Sequence, residues 1–205
     1  MVGARPARPG TRAVGEWTMS DASTPQAAGR RREKSPDELI QEAMHELPYG
    51  IYIVGSVRDG EPNGMIADWV MQVSFRPRLI AVAFERSSYS LASIRSNHAF
   101  TVNLLAEDGM ALAARFLQPR EGAKIRGRSE RARALVHRKL EGVEYGLDGR
   151  GCPLLADALA VFECEAEQFL DAGDHELVLG RVLDARLLRS ADPLTSVYTG
   201  WSYSG

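Results

Sequence analysis

Residues 63–75, NGMIADWVMQVSF, limit the possible folds most, because they begin with a turn dipeptide and then alternate like a strand. Successive side chains of a strand point to opposite faces of its sheet. One face is entirely apolar and consists of Met65, Ala67, Trp69, Met71, Val73 and Phe75. The other is mixed and consists of Gly64, Ile66, Asp68, Val70, Gln72 and Ser74. The pattern predicts one strand. One of its sides faces the core, and the other contacts surroundings that are neither fully apolar nor fully solvent.

Most other regular segments have the composition of strands. Apolar runs bounded by turn residues predict strands at 49–57, 79–84, 100–105, 159–170, 175–188 and 196–203. Capping residues or Ala/Leu-rich composition predict helices at 35–48, 87–97 and 107–117. Many strands with few, short helices predict a mainly β fold, an antiparallel barrel with helical decoration.

The folded domain is predicted to span residues 35–205. Ser35, Pro36 and Glu38 have the pattern of a capped helix start with a capping box. Residues 1–34 are rich in Arg, Ala, Pro, Gly and Ser without periodicity, which predicts a disordered basic tail. Residues 118–150 lack regular patterning and predict a mobile excursion. The basic residues of 115–139 either attract the phosphates of NAD(P)H or belong to a solvated surface helix.

Composition excludes several classes of protein. The chain has 25 basic and 27 acidic residues, a balance that argues against a nucleic-acid-binding protein. Its two cysteines, Cys152 and Cys164, form no CxxC motif, which predicts a reduced cytoplasmic protein without a structural metal. The apolar runs are far shorter than the roughly 20 residues of a membrane span.

The segment ERSSYS, residues 85–90, is a candidate phosphate site because it lies between a predicted strand and a predicted helix. Arg86 offers a guanidinium group, Ser87, Ser88 and Ser90 offer hydroxyl groups, and the helix start offers backbone N–H groups. The alternative is that one serine only caps the helix.

His175 is the second candidate, since it follows Asp174 in a turn that precedes a strand. The alternative is an exposed polar turn residue. No GxSxG motif, Walker motif or strand-linked GxGxxG is present, which disfavours a hydrolase of that type and a Rossmann nucleotide site. The four histidines are scattered and lack metal-ligand spacing.

Three segments in order, the residues 63–105, then GDHELVLGRVLDA, then PLTSVYTGWSY, resemble the flavin reductase-like family of FMN-binding split barrels. The resemblance implies a six-stranded antiparallel split barrel with short flanking helices and a homodimer with FMN near the interface. It also implies reduction of flavin by NADH or NADPH. Some family members keep FMN bound, and others pass reduced flavin to a partner monooxygenase.

The resemblance also implies roles for individual residues. The flavin wall would consist of Met65, Ile66, Ala67, Gln72, Val73 and Ser74, and the phosphate loop of Arg86, Ser87, Ser88 and Ser90. Asn103 would lie on the strand leaving the site, and His175 beside the flavin and the nicotinamide. The chain departs from the family at Ile66, Asp68 and Trp69, where hydroxyl or amide side chains are frequent. An inward-pointing Asp68 would oppose an anionic reduced flavin, which predicts a bulge or a basic partner there.

Several alternatives stay open at this point. The chain could be a flavoprotein electron carrier that receives electrons from another protein, a split barrel for haem or pyridoxine phosphate, or a barrel without a ligand. The sequence distinguishes neither NADH from NADPH nor FMN from FAD.

Overall fold

The computed structural model of the protein describes residues 33–117 and 138–200. Within these ranges the strands are β1 (Tyr52–Arg58), β2 (Glu61–Ala67), β3 (Val70–Phe75), β4 (Arg78–Glu85), β5 (Ala99–Leu104), β6 (Tyr145–Leu147), β7 (Pro153–Leu155), β8 (Ala160–Ala172) and β9 (His175–Leu187). The α-helices are α1 (Pro36–His45), α2 (Tyr89–Asn97), α3 (Met110–Phe116) and α4 (Ser196–Thr199), and a 3-10 turn spans Glu107–Gly109. No helix in the described ranges is long and apolar enough to cross a membrane.

Seven strands form one antiparallel sheet in the order β2–β1–β5–β8–β9–β4–β3, and β6 pairs with β7 separately. The edge strands β2 and β3 are consecutive in the chain and are joined only by Asp68 and Trp69. Three Cα–Cα steps span at most about 11 Å, so the two edges must approach each other here. The sheet therefore curls into a barrel that is split along one side. We call the junction formed by Asp68 and Trp69 the seam.

One hydrogen bond fixes the seam against β4, and a second joins its first residue to the start of β3. The Ala83 N–H donates to the Trp69 carbonyl at 3.1 Å, and the Val70 N–H donates to the Asp68 carbonyl at 2.9 Å. The prediction of one strand over 64–75 is thus wrong, because the chain leaves one edge of the sheet at Ala67 and joins the other at Val70.

The predicted core-facing side of that segment is also wrong beyond the seam. Met71, Val73 and Phe75 are 64%, 45% and 83% exposed, respectively. A break at the seam and a bulge between Gln72 and Ser74 change which side faces the interior. Val70, on the mixed face in the sequence pattern, packs against the core instead.

Three other predictions need correction. The large sheet has seven strands where the resemblance implied six. The predicted strand at 196–203 is helical over Ser196–Thr199, because Thr195 caps that turn and Gly200 ends it in a left-handed conformation. Part of the predicted mobile excursion is the ordered strand β6. Residues 118–137 of that predicted excursion and nearly all of the predicted tail lie outside the described residues.

The core lies on both faces of the sheet. Val54, Phe84 and Phe100 belong to a cluster inside the barrel, together with Leu91 and Ile94 of α2. Ile53 belongs to a second cluster that packs under α3 and β7. β1 is consequently buried on both sides, and α2 is held firmly over the barrel interior.

Candidate functional site

Four elements meet at one end of the barrel: the seam, the end of β4, the start of α2 and the turn between β8 and β9. Glu85, the last residue of β4, is paired in register with His175, the first residue of β9. The rings of Trp69 and His175 are in contact, with centroids 4.9 Å apart and an angle of 46° between planes. Residues that are far apart in sequence are thus brought to one place.

His175 is held in one orientation. Its side chain is buried, and Nδ1 lies 2.6 Å from the Asp174 carboxylate. This hydrogen bond to His175 lowers the pKa of Asp174, which is itself exposed. The alternative of an exposed turn histidine is wrong, because Trp69 and the paired strands enclose the ring.

The start of α2 fits both interpretations of the serine cluster. Ser88 caps the helix, since its hydroxyl accepts the Leu91 N–H at 3.1 Å. Ser87 is exposed just before the helix, and Ser90 is buried in its first turn. The first N–H groups of a helix lack carbonyl partners within it and carry the positive end of its dipole. These N–H donors suit an anion. Ser88 fixes the start of the helix, and its hydroxyl caps the helix instead of binding the anion.

Arg86 is engaged by the β8–β9 turn. Its Nε donates to the Gly173 carbonyl at 2.7 Å, and Nη2 lies 2.5 Å from the Asp171 carboxylate. The hydrogen bond from Arg86 lowers the pKa of Asp171. The structure thus gives Arg86 a partner other than a phosphate.

The predicted flavin wall is divided between the two edges of the sheet. Met65, Ile66 and Ala67 end β2, whereas Gln72, Val73 and Ser74 form the bulged part of β3. Gln72 donates from Nε2 to the Ser74 carbonyl at 3.2 Å. The seam between them brings two edges with polar backbone groups to one side of the barrel, next to His175.

Asn103 has a structural role. Its side chain is fully buried and donates to the Ile53 carbonyl at 2.9 Å, while its oxygen accepts the Leu155 N–H at 2.8 Å. No surface of this side chain remains for a cofactor, so we correct its assignment to a structural residue that joins β1, β5 and β7.

The sequence analysis missed Trp69 as a site residue and Lys139 as a buried cation. Lys139 donates to the Gly64 carbonyl at 3.2 Å beside a cavity of about 260 Å³. By pattern Trp69 is a typical core residue and Lys139 a typical surface residue, and only the fold brings Trp69 to His175 and Lys139 to β2. The two cysteines are buried free thiols whose pKa is raised to about 12 by burial, which disfavours thiolate chemistry. The described residues hold no cluster with metal-ligand character.

Asp68 lies half-buried in the seam, and burial raises the pKa of its carboxyl group. A raised pKa means that the folded protein binds the proton more tightly, so stability falls as the pH rises above the ordinary value of 3.8. We therefore expect Asp68→Asn to raise the melting temperature at pH 7, with a gain that disappears below about pH 4. Thermal unfolding across this pH range measures it. Asp184→Asn, at an exposed site on β9, is the control, and a pH-independent difference for Asp68→Asn would contradict the assignment.

Comparison with known proteins gives consistent results. The chain is 32% identical over 158 residues to a high molecular weight rubredoxin of Moorella thermoacetica, which covers 76% of this chain and 63% of the relative. It is 33% identical over 156 residues to a ferric-chelate reductase (NAD(P)H) of Archaeoglobus fulgidus, covering 75% and 85%. The solved structure of BorF, the flavin reductase component of a bacterial two-component tryptophan halogenase, is 27% identical with a TM-score of 0.61, covering 78% of this chain and 92% of BorF.

The chain spans less than two thirds of the rubredoxin, so similarity to that relative concerns one part of a longer protein. The model of the flavin reductase like domain matches residues 44–204, which include every strand described above. The sequence, the curled antiparallel sheet and this match lead to one conclusion: the chain belongs to the flavin reductase-like domain family.

Proposed function

We propose that this protein binds a phosphorylated flavin, FMN in the first instance, at the seam and reduces it with NADH or NADPH. The observation that carries the proposal is the convergence of a serine-rich helix start and an enclosed histidine at the seam, on a chain of this family. The ferric-chelate reductase and BorF bear names that describe NAD(P)H oxidation and flavin reduction, and these relatives support the activity.

The residues present fit such a cofactor. The start of α2, with Ser87 and Ser90, offers donors for a phosphate, and the ends of β2 and β3 offer backbone edges and apolar side chains for a planar ring. The flavin, when bound, supplies the redox chemistry by accepting hydride from the nicotinamide. The chain's own task is to hold both rings together and exclude water. His175, fixed by Asp174 and Trp69, is the residue we assign to contact with the nicotinamide.

Two measurements test the activity. The purified protein is expected to retain flavin absorbance after it is mixed with FMN and free FMN is removed. It is also expected to oxidise NADH or NADPH faster when FMN or FAD is added. A colourless protein that stays colourless in excess FMN would overturn the proposal. Comparing the two nicotinamides and the two flavins then defines the preferred pair.

The phosphate site has its own test, because riboflavin lacks the phosphate. We expect Ser87→Ala combined with Ser90→Ala to raise the Kd for FMN about tenfold, equivalent to ~1.4 kcal/mol, through loss of hydrogen bonds to a charged group. Titration of the protein with each flavin measures this, and the affinity for riboflavin should not change. Ser93→Ala is the matched control, since that buried serine donates to the Tyr89 carbonyl within the same helix. Equal losses for FMN and riboflavin would refute the phosphate contact.

A second candidate function is an FMN-containing electron carrier that is reduced by another protein. The similarity to part of a rubredoxin supports it. Bound flavin that is reduced only by a protein donor, with no steady NAD(P)H oxidation, would select this function.

We also propose that the protein is a homodimer and that it passes reduced flavin to a partner monooxygenase. α1 buries none of its residues, and its apolar stripe, Leu39, Ile40 and Met44, is exposed. The edge strand β3 exposes Met71 and Phe75 as well. A helix of 10 residues is marginal alone in water, so these surfaces favour a second copy as cover. Light scattering is expected to give twice the chain mass of 22.5 kDa, and a monomer would refute the dimer.

A further inference from the structure

The turn between β8 and β9 is shaped by one arginine from another part of the chain. Arg86 follows β4, and its side chain binds the Gly173 carbonyl and the Asp171 carboxylate on opposite sides of the turn. The backbone N–H of Arg86 also donates to the Asp174 carbonyl at 3.3 Å. Three residues of the turn are therefore held by a single partner.

The turn has an internal bond that depends on the same carboxylate. Asp171 accepts the Gly173 N–H at 3.1 Å with its second oxygen, and Gly173 adopts a left-handed φ of 77°. Arg86 thus binds a carboxylate that is already part of the turn, and it fixes the conformation through a planar fork with several donors.

His175 begins directly after this turn. Its backbone position is set by pairing with Glu85, the residue before Arg86, and its ring by the Asp174 carboxylate at 2.6 Å. Asp174 is exposed, and the backbone of the turn that Arg86 holds sets the position of its carboxylate. A displaced turn would move the carboxylate and tilt the imidazole ring.

The ion pair contributes little to global stability. The Arg86 and Asp171 side chains are both largely exposed, and exposed pairs contribute little because of solvent screening and side-chain entropy. The Arg86 side chain binds both a carboxylate and a carbonyl, and this geometry is suited to fixing the position of the β8–β9 turn.

We propose that Arg86 is a positioning residue for His175, acting through the Asp171–Asp174 turn, and that it is not a ligand of the flavin phosphate. The expected effect on kcat/KM rests on the proposed function. It revises the role that the resemblance gave to Arg86.

The test compares Arg86→Ala, Asp171→Ala and the double variant. Each is expected to lower kcat/KM for the nicotinamide about tenfold, because small misplacements of a contacting group have effects of this size or larger. The double variant should be no worse than either single one, since both remove the same support. The Kd for FMN should change less than about threefold in all three. Arg86→Lys should restore only part of the activity, because an ammonium group lacks the fork.

Arg189→Ala is the matched control. Arg189 binds the Asp108 carboxylate with two hydrogen bonds of 2.7 Å and the Asp157 carbonyl at 2.9 Å, an equivalent arrangement outside the turn and seam. This variant should leave kcat/KM for the nicotinamide and the Kd for FMN unchanged. All five variants should lower the melting temperature by no more than about 4 °C.

A readout without flavin separates failure of this proposal from failure of the proposed function. The imidazole NMR signals of His175 in the flavin-free full chain should shift in Arg86→Ala and Asp171→Ala, and not in Arg189→Ala. If the wild type neither binds flavin nor oxidises NAD(P)H, the proposed function fails while the NMR shift still supports positioning. Unshifted His175 signals, additive losses in the double variant, or a Kd for FMN raised more than tenfold by Arg86→Ala alone would overturn the positioning role.

Discussion

His175→Ala is expected to lower kcat/KM for flavin-dependent NAD(P)H oxidation about 100-fold while the Kd for FMN stays within about threefold. The reason is the fixed orientation of the ring, which is enclosed by Trp69 and tied to Asp174 at 2.6 Å. Removing it leaves intact the edges that we propose to bind the flavin, and it removes the group assigned to the nicotinamide. Steady-state kinetics with varied nicotinamide and flavin titration measure the two effects separately.

His45→Ala is the matched control for this prediction. His45 ends α1 on the exposed side of the protein, so its replacement should change neither value. An unchanged kcat/KM in His175→Ala would remove the histidine from the reaction. A large loss of FMN affinity in the same variant would instead place His175 among the flavin contacts.

The second large effect concerns folding. Asn103→Leu is expected to lower the free energy of unfolding by about 3 kcal/mol, because it leaves the Ile53 carbonyl and the Leu155 N–H buried without their partner. For a chain of this size that corresponds to a fall in melting temperature of roughly 10 °C. Thermal and urea unfolding measure the change, with slopes compared to confirm that the unfolded state is similar.

Gln168→Leu tests whether loss of an amide alone has this effect. Gln168 lies exposed on β8, so the same type of substitution there should change stability by less than about 0.5 kcal/mol. If Asn103→Leu is equally mild, the hydrogen bonds across β1, β5 and β7 contribute little to stability, and the buried amide has another purpose.

Segments with strong local signals were predictable from the sequence. The capping box at Ser35 and Glu38 is present, with both reciprocal hydrogen bonds formed. The predicted strands at 79–84, 159–170 and 175–188 correspond to β4, β8 and β9 within a few residues. Periodicity and capping residues act over short distances, and for that reason they define these elements without knowledge of the whole fold.

The segment 64–75 was not predictable in the same way. Its alternation is unbroken in the sequence, yet the chain crosses from β2 to β3 at the seam. Only the pairing partners decide this, since Ala67 aligns with Tyr52 while Val70 aligns with Val82. The apolar side chains of β3 are exposed. The interior that they were predicted to face is occupied by side chains of β4 and β9.

The fold brings several of the predicted site residues together, while their roles stay predictions. His175 and the serines at the start of α2 lie at one end of the barrel, next to the seam. Arg86 and Asn103 have partners that come from distant parts of the chain, which no local pattern reveals. Trp69 was predicted as a core residue because it lies on the apolar face of the predicted strand. Its contact with His175 forms only because the sheet curls.

The seam has a consequence for slow motions of the protein. The same two residues join the barrel's free edges and place an indole ring on His175. Transient local opening at this point would expose the Ala83 amide to hydrogen exchange and loosen the histidine in one event. Protection of that single amide therefore measures the free energy of opening at the end of the barrel that holds the candidate site.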